Sequence, residues 1–198
     1  MTSAQLREAP TRERVRCLAA RLPVALALSI LGVMGVGVRP LAFGVVAVAL
    51  VTEELVRADI AEHRLPNRLV LPLYPLVLLS LVADWAATGS DPLMGLGSGA
   101  VWFVFLLLLC LAGGMGMGDV KLGGALGLCL GVVGAVPAIL GLVLAFVTGA
   151  IGGMVVLLRP TAGSAVPGPS RRIPFGPFLL AGFWATIVCF PLLDGATA

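Results

Sequence analysis

Apolar residues in this chain run together rather than alternating with polar ones. Continuous hydrophobic stretches fall at 22–38, 41–57, 69–88, 94–114, 120–134, 136–158 and 175–193. Most approach the roughly 20 residues that a helix needs to cross a lipid hydrocarbon core. The pattern predicts about seven helices, with a range of six to eight. The least sharp division lies within 120–158, a nearly unbroken apolar run that the turn residues from Gly134 to Pro137 should cut in two.

Composition strengthens this reading. Hydrophobic residues make up 59% of the 198 and charged residues only 12%, and mean hydropathy is +1.08, whereas a soluble domain is about 25% charged. The expected fold class is therefore all-α, a polytopic integral membrane protein with no room for a soluble domain. Residues 1–21 form a basic N-terminal segment and 22–198 a single transmembrane domain. The first apolar run leads straight into further runs, so it is read as a retained span and not a removed signal.

The distribution of charge orients the bundle. With the N-terminus in the cytoplasm, 12 of the 13 basic residues fall in segments on that side, leaving Arg39 alone outside. Asp84, Asp91 and Asp194 sit in or beside the external segments. The formal net charge of +3 follows from this topology and from anionic headgroups, so no nucleic-acid partner is expected. The four cysteines form no CxxC pair, and Cys110, Cys129 and Cys189 read as small apolar packing residues. The single histidine, His63, reads as a solvated loop residue close to an acid. No metal site and no cofactor are expected.

Two segments carry the chemistry. Asp59-Ile-Ala-Glu-His-Arg-Leu-Pro-Asn67 and Gly116-Met-Gly-Asp-Val-Lys121 each set one aspartate at the end of an apolar stretch, on the same predicted face. Ionisable groups at a bilayer boundary are costly, and two of them suggest a shared task. Two close carboxylates cannot both ionise easily, so the pair holds one proton and can supply a base for water and an acid for a leaving amine. That is the arrangement of aspartic peptidases.

The surrounding residues suggest how such a pair is supported. Gly116 and Gly118 would let a peptide backbone approach Asp119. Pro66 ends the helix that bears Asp59, and Asn67 is expected to cap the next one through its side chain. Lys121, two positions beyond Asp119, should face away from it and anchor in headgroups. Gly123, Gly127 and Gly131 recur every four residues and predict a close-packed helix face.

Together these residues resemble the type IV prepilin peptidase family, a group of GxGD-type intramembrane aspartyl proteases. The resemblance rests on Asp59 followed by Leu65-Pro66-Asn67 and Leu71-Pro72, on Gly116-Met-Gly-Asp-Val-Lys-Leu122, and on Ile173-Pro-Phe-Gly-Pro-Phe178. It implies that Asp59 and Asp119 are the catalytic pair, and that Pro174, Phe175, Gly176 and Pro177 form a motif near the site. It also implies the substrate, a prepilin or pseudopilin cut between a short basic cytoplasmic leader and a hydrophobic helix, at the inner membrane. The paired CxxC motifs of many bacterial members have no counterpart here, so the chain looks like a short, peptidase-only form in which N-methyltransferase activity is doubtful. A small polytopic transporter using intramembrane acids and a non-catalytic pilus-assembly protein are the alternatives.

Overall fold

The computed structural model describes residues 22–158 and 174–194. The predicted N-terminal basic segment with Cys17, the basic residues Arg159, Arg171 and Arg172, and Ile173 lie outside the described residues. Within them the chain is helical: α1 (Leu22–Val36), α2 (Leu41–Glu62), a single turn α3 (Asn67–Val70), α4 (Leu73–Thr88), α5 (Pro92–Leu111), α6 (Met117–Val133), α7 (Ala135–Leu158) and α8 (Gly176–Asp194). Among the described residues, three stretches are long and apolar enough to cross a membrane, namely Asn67–Thr88, Pro92–Leu111 and Ala135–Val155, and Leu22–Val36 and Gly176–Cys189 are shorter apolar helices. Large apolar side chains such as Phe43, Leu79, Leu108 and Ile139 face outward. Lipid contact accounts for an exterior of that kind.

Local chemistry sets the helix boundaries. Asp91 caps α5 by accepting the Leu93 N–H at 2.9 Å, with Pro92 in the first turn where its missing donor costs nothing. Gly89 closes α4 at φ 71°, a left-handed conformation that glycine adopts without strain. The long apolar run divides where expected but more tightly: Gly134 alone makes the turn, at φ 153°, and Pro137 falls inside the first turn of α7.

Helix α6 is the axis of the bundle, with every residue from Val120 to Gly131 buried except Lys121. The glycine stripe explains how it gets there. A Cβ at Gly123 would meet Leu106, one at Gly127 would meet Trp102, and one at Gly131 would meet Ser98, all on α5. On α5, Gly95 and Gly99 return the favour against Leu128. Indole nitrogens tie the surrounding helices to one another, α5 to α7 and α8 to α2. Trp102 donates to the Ala138 carbonyl at 3.1 Å, and Trp184 donates to the Thr52 hydroxyl at 3.2 Å.

At one end of the bundle, Asp84 of α4 is fully buried. It accepts the Arg39 guanidinium through both oxygens, Ser90 Oγ at 2.8 Å and the Leu41 N–H at 3.2 Å. The one basic residue that the charge pattern left on the outer side is thus neutralised by a buried acid. This network joins the α1–α2 turn to α4 and the α4–α5 turn.

Candidate active site

The opposite end holds the two segments singled out in the sequence. Helix α2 stops just after Asp59 because His63 turns left-handed (φ 50°) and donates its N–H to the Asp59 carbonyl at 2.9 Å, after which Pro66 bars any return to the helix. This leaves Asp59 in the last turn of α2, 3% exposed. Asp119 lies at the third position of α6, 7% exposed, with Gly116 as the helix N-cap. Its Oδ2 accepts the Gly116 N–H at 3.2 Å, the reciprocal half of a capping box whose other half a glycine has no side chain to supply.

The two carboxylates line one cavity of about 220 Å³, together with His63, Cys110, Gly113 to Gly116, Pro174 and Phe175. They are near enough for their charges to repel, and burial further disfavours a doubly ionised pair. Each takes one glycine N–H: Asp119 from Gly116, and Asp59 Oδ2 from Gly176 at 2.9 Å. Asp119 Oδ1 is buried without a hydrogen-bond partner among the described residues. Neither carboxylate pairs with a cation among the described ion pairs, which join Arg39 to Asp84 and Arg57 to Glu53. A buried oxygen with an open valence toward a cavity is suited to hold a proton or to meet a polar guest.

The Pro174-Phe175-Gly176-Pro177 segment is seated by its aromatic ring. Phe175 packs on Phe146 of α7 with centroids 5.1 Å apart, and on the flank of Gly149, where a Cβ would lie 2.8 Å from the ring. Pro177 takes the second position of α8, in the first turn, where its missing N–H leaves no intrahelical bond unmade. Between them, Gly176 brings its N–H to Asp59; a Cβ there would stand 2.8 Å from Asp59 Oδ2. Gly176 therefore combines a donor with an absence of bulk.

Two supporting residues depart from the sequence expectations. Asn67 does not cap the helix it opens. Pro66 occupies the N-cap position, no side-chain cap bond forms, and Asn67 Oδ1 instead accepts Lys121 Nζ at 3.1 Å. Lys121 faces away from Asp119 as expected, its ammonium meeting this protein side chain at an exposed position, and its carbonyl accepts the Tyr74 hydroxyl at 2.7 Å. Gly118 leaves room for the protein's own backbone, since its missing Cβ would lie 2.8 Å from Leu65 Cβ and 3.3 Å from Leu65 N.

Sequence reasoning also missed one cavity residue. Cys110, taken for packing, lines the cavity, whereas His63, read as a solvated residue close to an acid, is exposed and lines it beside Asp59. A larger cavity of about 560 Å³ lies between α4, α5 and α6, but Lys121 is the one charged residue in its wall. It offers room without acid–base chemistry, so the smaller cavity is the candidate site. Among the described residues no group of three or more His, Cys, Asp or Glu side chains converges as a metal site would require.

Comparison with known proteins agrees with this picture. Residues 46–155 match the model of the type IV leader peptidase family. The chain is 33% identical over 160 residues to the prepilin leader peptidase/N-methyltransferase of Xanthomonas campestris pv. campestris, covering 77% of this chain and 52% of that protein. It is 34% identical over 155 residues to the proteins of that name from Aeromonas salmonicida and Aeromonas hydrophila, covering 74% of this chain and 50% of theirs. The chain thus spans about half the length of the curated relatives it matches. No solved structure matches it. With the matched region running from α2 through α7 and enclosing both Asp59 and Asp119, the chain belongs to the type IV leader peptidase family.

Proposed function

We propose that this protein is a membrane-embedded aspartic endopeptidase that removes the short basic leader from prepilins or pseudopilins, with Asp59 and Asp119 as its catalytic pair. The observation that carries the reading is the single cavity shared by two buried carboxylates, neither of which belongs to a described ion pair. Its relatives' names, prepilin leader peptidase/N-methyltransferase, support the substrate class.

In this mechanism the pair holds one proton. The ionised carboxylate draws a proton from water as the oxygen attacks the scissile carbonyl. The protonated carboxyl hydrogen-bonds that carbonyl and then passes its proton to the departing amine. Gly176 and Gly116 hold one oxygen of each carboxylate, so the opposite oxygens are free to act. No metal or organic cofactor enters these steps.

The topology proposed from charge distribution puts this site at the cytoplasmic boundary of the inner membrane. The junction between a cytoplasmic leader and a membrane-bound helix would lie at that level. The Asp84–Arg39 network would then lie at the outer boundary.

The test is co-expression of the wild-type chain, Asp59→Asn and Asp119→Asn with tagged prepilins, followed by intact mass of the pilins. Leader loss with wild type alone is the expected result, and the same mass reports whether the new N-terminus is methylated. Processing by either variant at near wild-type level would remove the dyad. A wild-type chain that inserts correctly yet leaves every prepilin intact would favour the transporter or assembly readings.

A further inference from the structure

Lys121 follows Asp119 by two positions on α6, which places its side chain roughly 200° away around the helix. It cannot serve the carboxyl directly. Its ammonium meets Asn67 Oδ1 at 3.1 Å, and its carbonyl accepts the Tyr74 hydroxyl at 2.7 Å. Asn67 and Tyr74 both belong to the stretch that continues from Asp59, and Leu65 of that stretch packs on the bare Cα of Gly118. The segment after one aspartate is thereby fastened to the helix of the other at three successive points. Only one of these fastenings involves a charge.

We propose that Lys121 is a positioning residue, whose bond to Asn67 clamps the loop after Asp59 onto α6 and so sets the spacing of the two carboxylates. The inference deepens the peptidase reading and rests on it. An amide oxygen suits the task, because it orients the ammonium without bringing a third negative charge to a site that already holds two acids. The contact is exposed, so its loss costs the fold little. Its loss costs catalysis more, because small misplacements of reacting groups reduce turnover steeply.

The experiment uses the full chain in proteoliposomes with a tagged prepilin. Lys121→Met and Asn67→Leu should each lower kcat roughly 10- to 100-fold with KM changed by less than about threefold. Lys121→Arg, which keeps a charged donor in place, should stay within about threefold of wild type. The double variant Lys121→Met/Asn67→Leu should be no worse than the poorer single one, since both remove one interaction.

A kcat for Lys121→Met within about twofold of wild type would overturn the proposal. So would a Lys121→Arg variant as impaired as Lys121→Met, which would mean that the amine itself acts, or a double variant whose losses multiply. Amide hydrogen exchange supplies a readout that does not depend on activity. Lys121→Met should speed exchange of the Leu69, Val70 and Leu71 amides, which bond to Pro66 and Asn67 carbonyls, by about tenfold or more. Unchanged exchange would sink the clamp even if no prepilin were cleaved, whereas absence of wild-type cleavage with accelerated exchange would sink the peptidase reading alone.

Discussion

Asp84 and Asp119 are the same residue type, both buried, at opposite ends of one helical bundle, and they are treated in opposite ways. Asp84 is saturated: two contacts from Arg39, one from Ser90 and one from the Leu41 amide leave no oxygen idle. Asp119 has one amide on one oxygen and nothing on the other, and its nearby charge is another carboxylate. A saturated carboxylate is ionised, immobile and chemically silent, and it serves to join segments. An undersatisfied one is costly for the fold and available for proton transfer. Burial alone does not separate the two kinds; the partner set does.

The largest effect should therefore come from removing the available acids. Asp59→Asn or Asp119→Asn should lower cleavage by about 10³-fold or more while leaving the thermal midpoint unchanged or raised, because each substitution removes a buried ionisable group that the fold leaves undersatisfied. Quantitative gel shift of the pilin and a melting curve of the purified protein check both halves. A variant that loses activity only because it unfolds would erase the distinction drawn here.

The saturated end should behave in the reverse sense. Asp84→Ala leaves the Arg39 guanidinium without its partner and should cost about 2–4 kcal/mol, somewhat below the value for a fully enclosed pair because Arg39 keeps some solvent contact. Cleavage per folded molecule should stay near wild type. The charge-free pair Arg39→Met/Asp84→Leu should recover much of the lost stability, as replacing a buried ion pair with apolar groups often does. A large loss of specific activity in the folded fraction of Asp84→Ala would show that the two ends are coupled.

How much of this could be read from the chain depends on distance along it. The helices were legible because each is a local apolar run, and the Gly123, Gly127 and Gly131 stripe was legible because its period is that of a helix. Asp59 and Asp119 stood out because carboxylates at the ends of apolar runs are expensive. What they touch did not stand out. Arg39 and Asp84 are 45 residues apart, Lys121 and Asn67 are 54 apart, and Gly176 and Asp59 are 117 apart. No local rule pairs them. Asn67 was expected to cap a helix because that is its commonest service at such a position, but Pro66 already sets the N-cap conformation and a cation 3.1 Å away takes the amide oxygen instead.

A smaller effect should follow from altering how an available acid is held. Gly176→Ala keeps the N–H that reaches Asp59 but introduces a methyl 2.8 Å from the carboxylate oxygen and 3.4 Å from Leu65 Cδ1. The carboxylate must swing away, so kcat should drop by about 10- to 100-fold with a modest change in stability. Steady-state kinetics on a prepilin separates this from a substrate-binding defect, which would appear in KM. Turnover equal to wild type would mean that Asp59 does not need the Gly176 amide, and that the two ends differ less in their demand for order than the bonding suggests.

The smallest effect tests whether the glycine before Asp119 serves the substrate or the fold. A backbone-approach role predicts that Gly118→Ala mainly weakens substrate binding, because the methyl would stand where the peptide passes. The contacts predict otherwise: the methyl would meet Leu65 Cβ at 2.8 Å and Leu65 N at 3.3 Å, so the loop after Asp59 must shift. Overpacking of this kind costs about 1–3 kcal/mol. KM should stay within about twofold, kcat should fall by roughly fivefold, and the thermal midpoint should drop by a few degrees. Leu65→Ala in the same chain should restore part of both, because it removes the atoms beyond Cβ that keep Leu65 wedged in the core and lets the loop yield. A KM effect without loss of stability, unrelieved by Leu65→Ala, would return Gly118 to the substrate's side of the cavity.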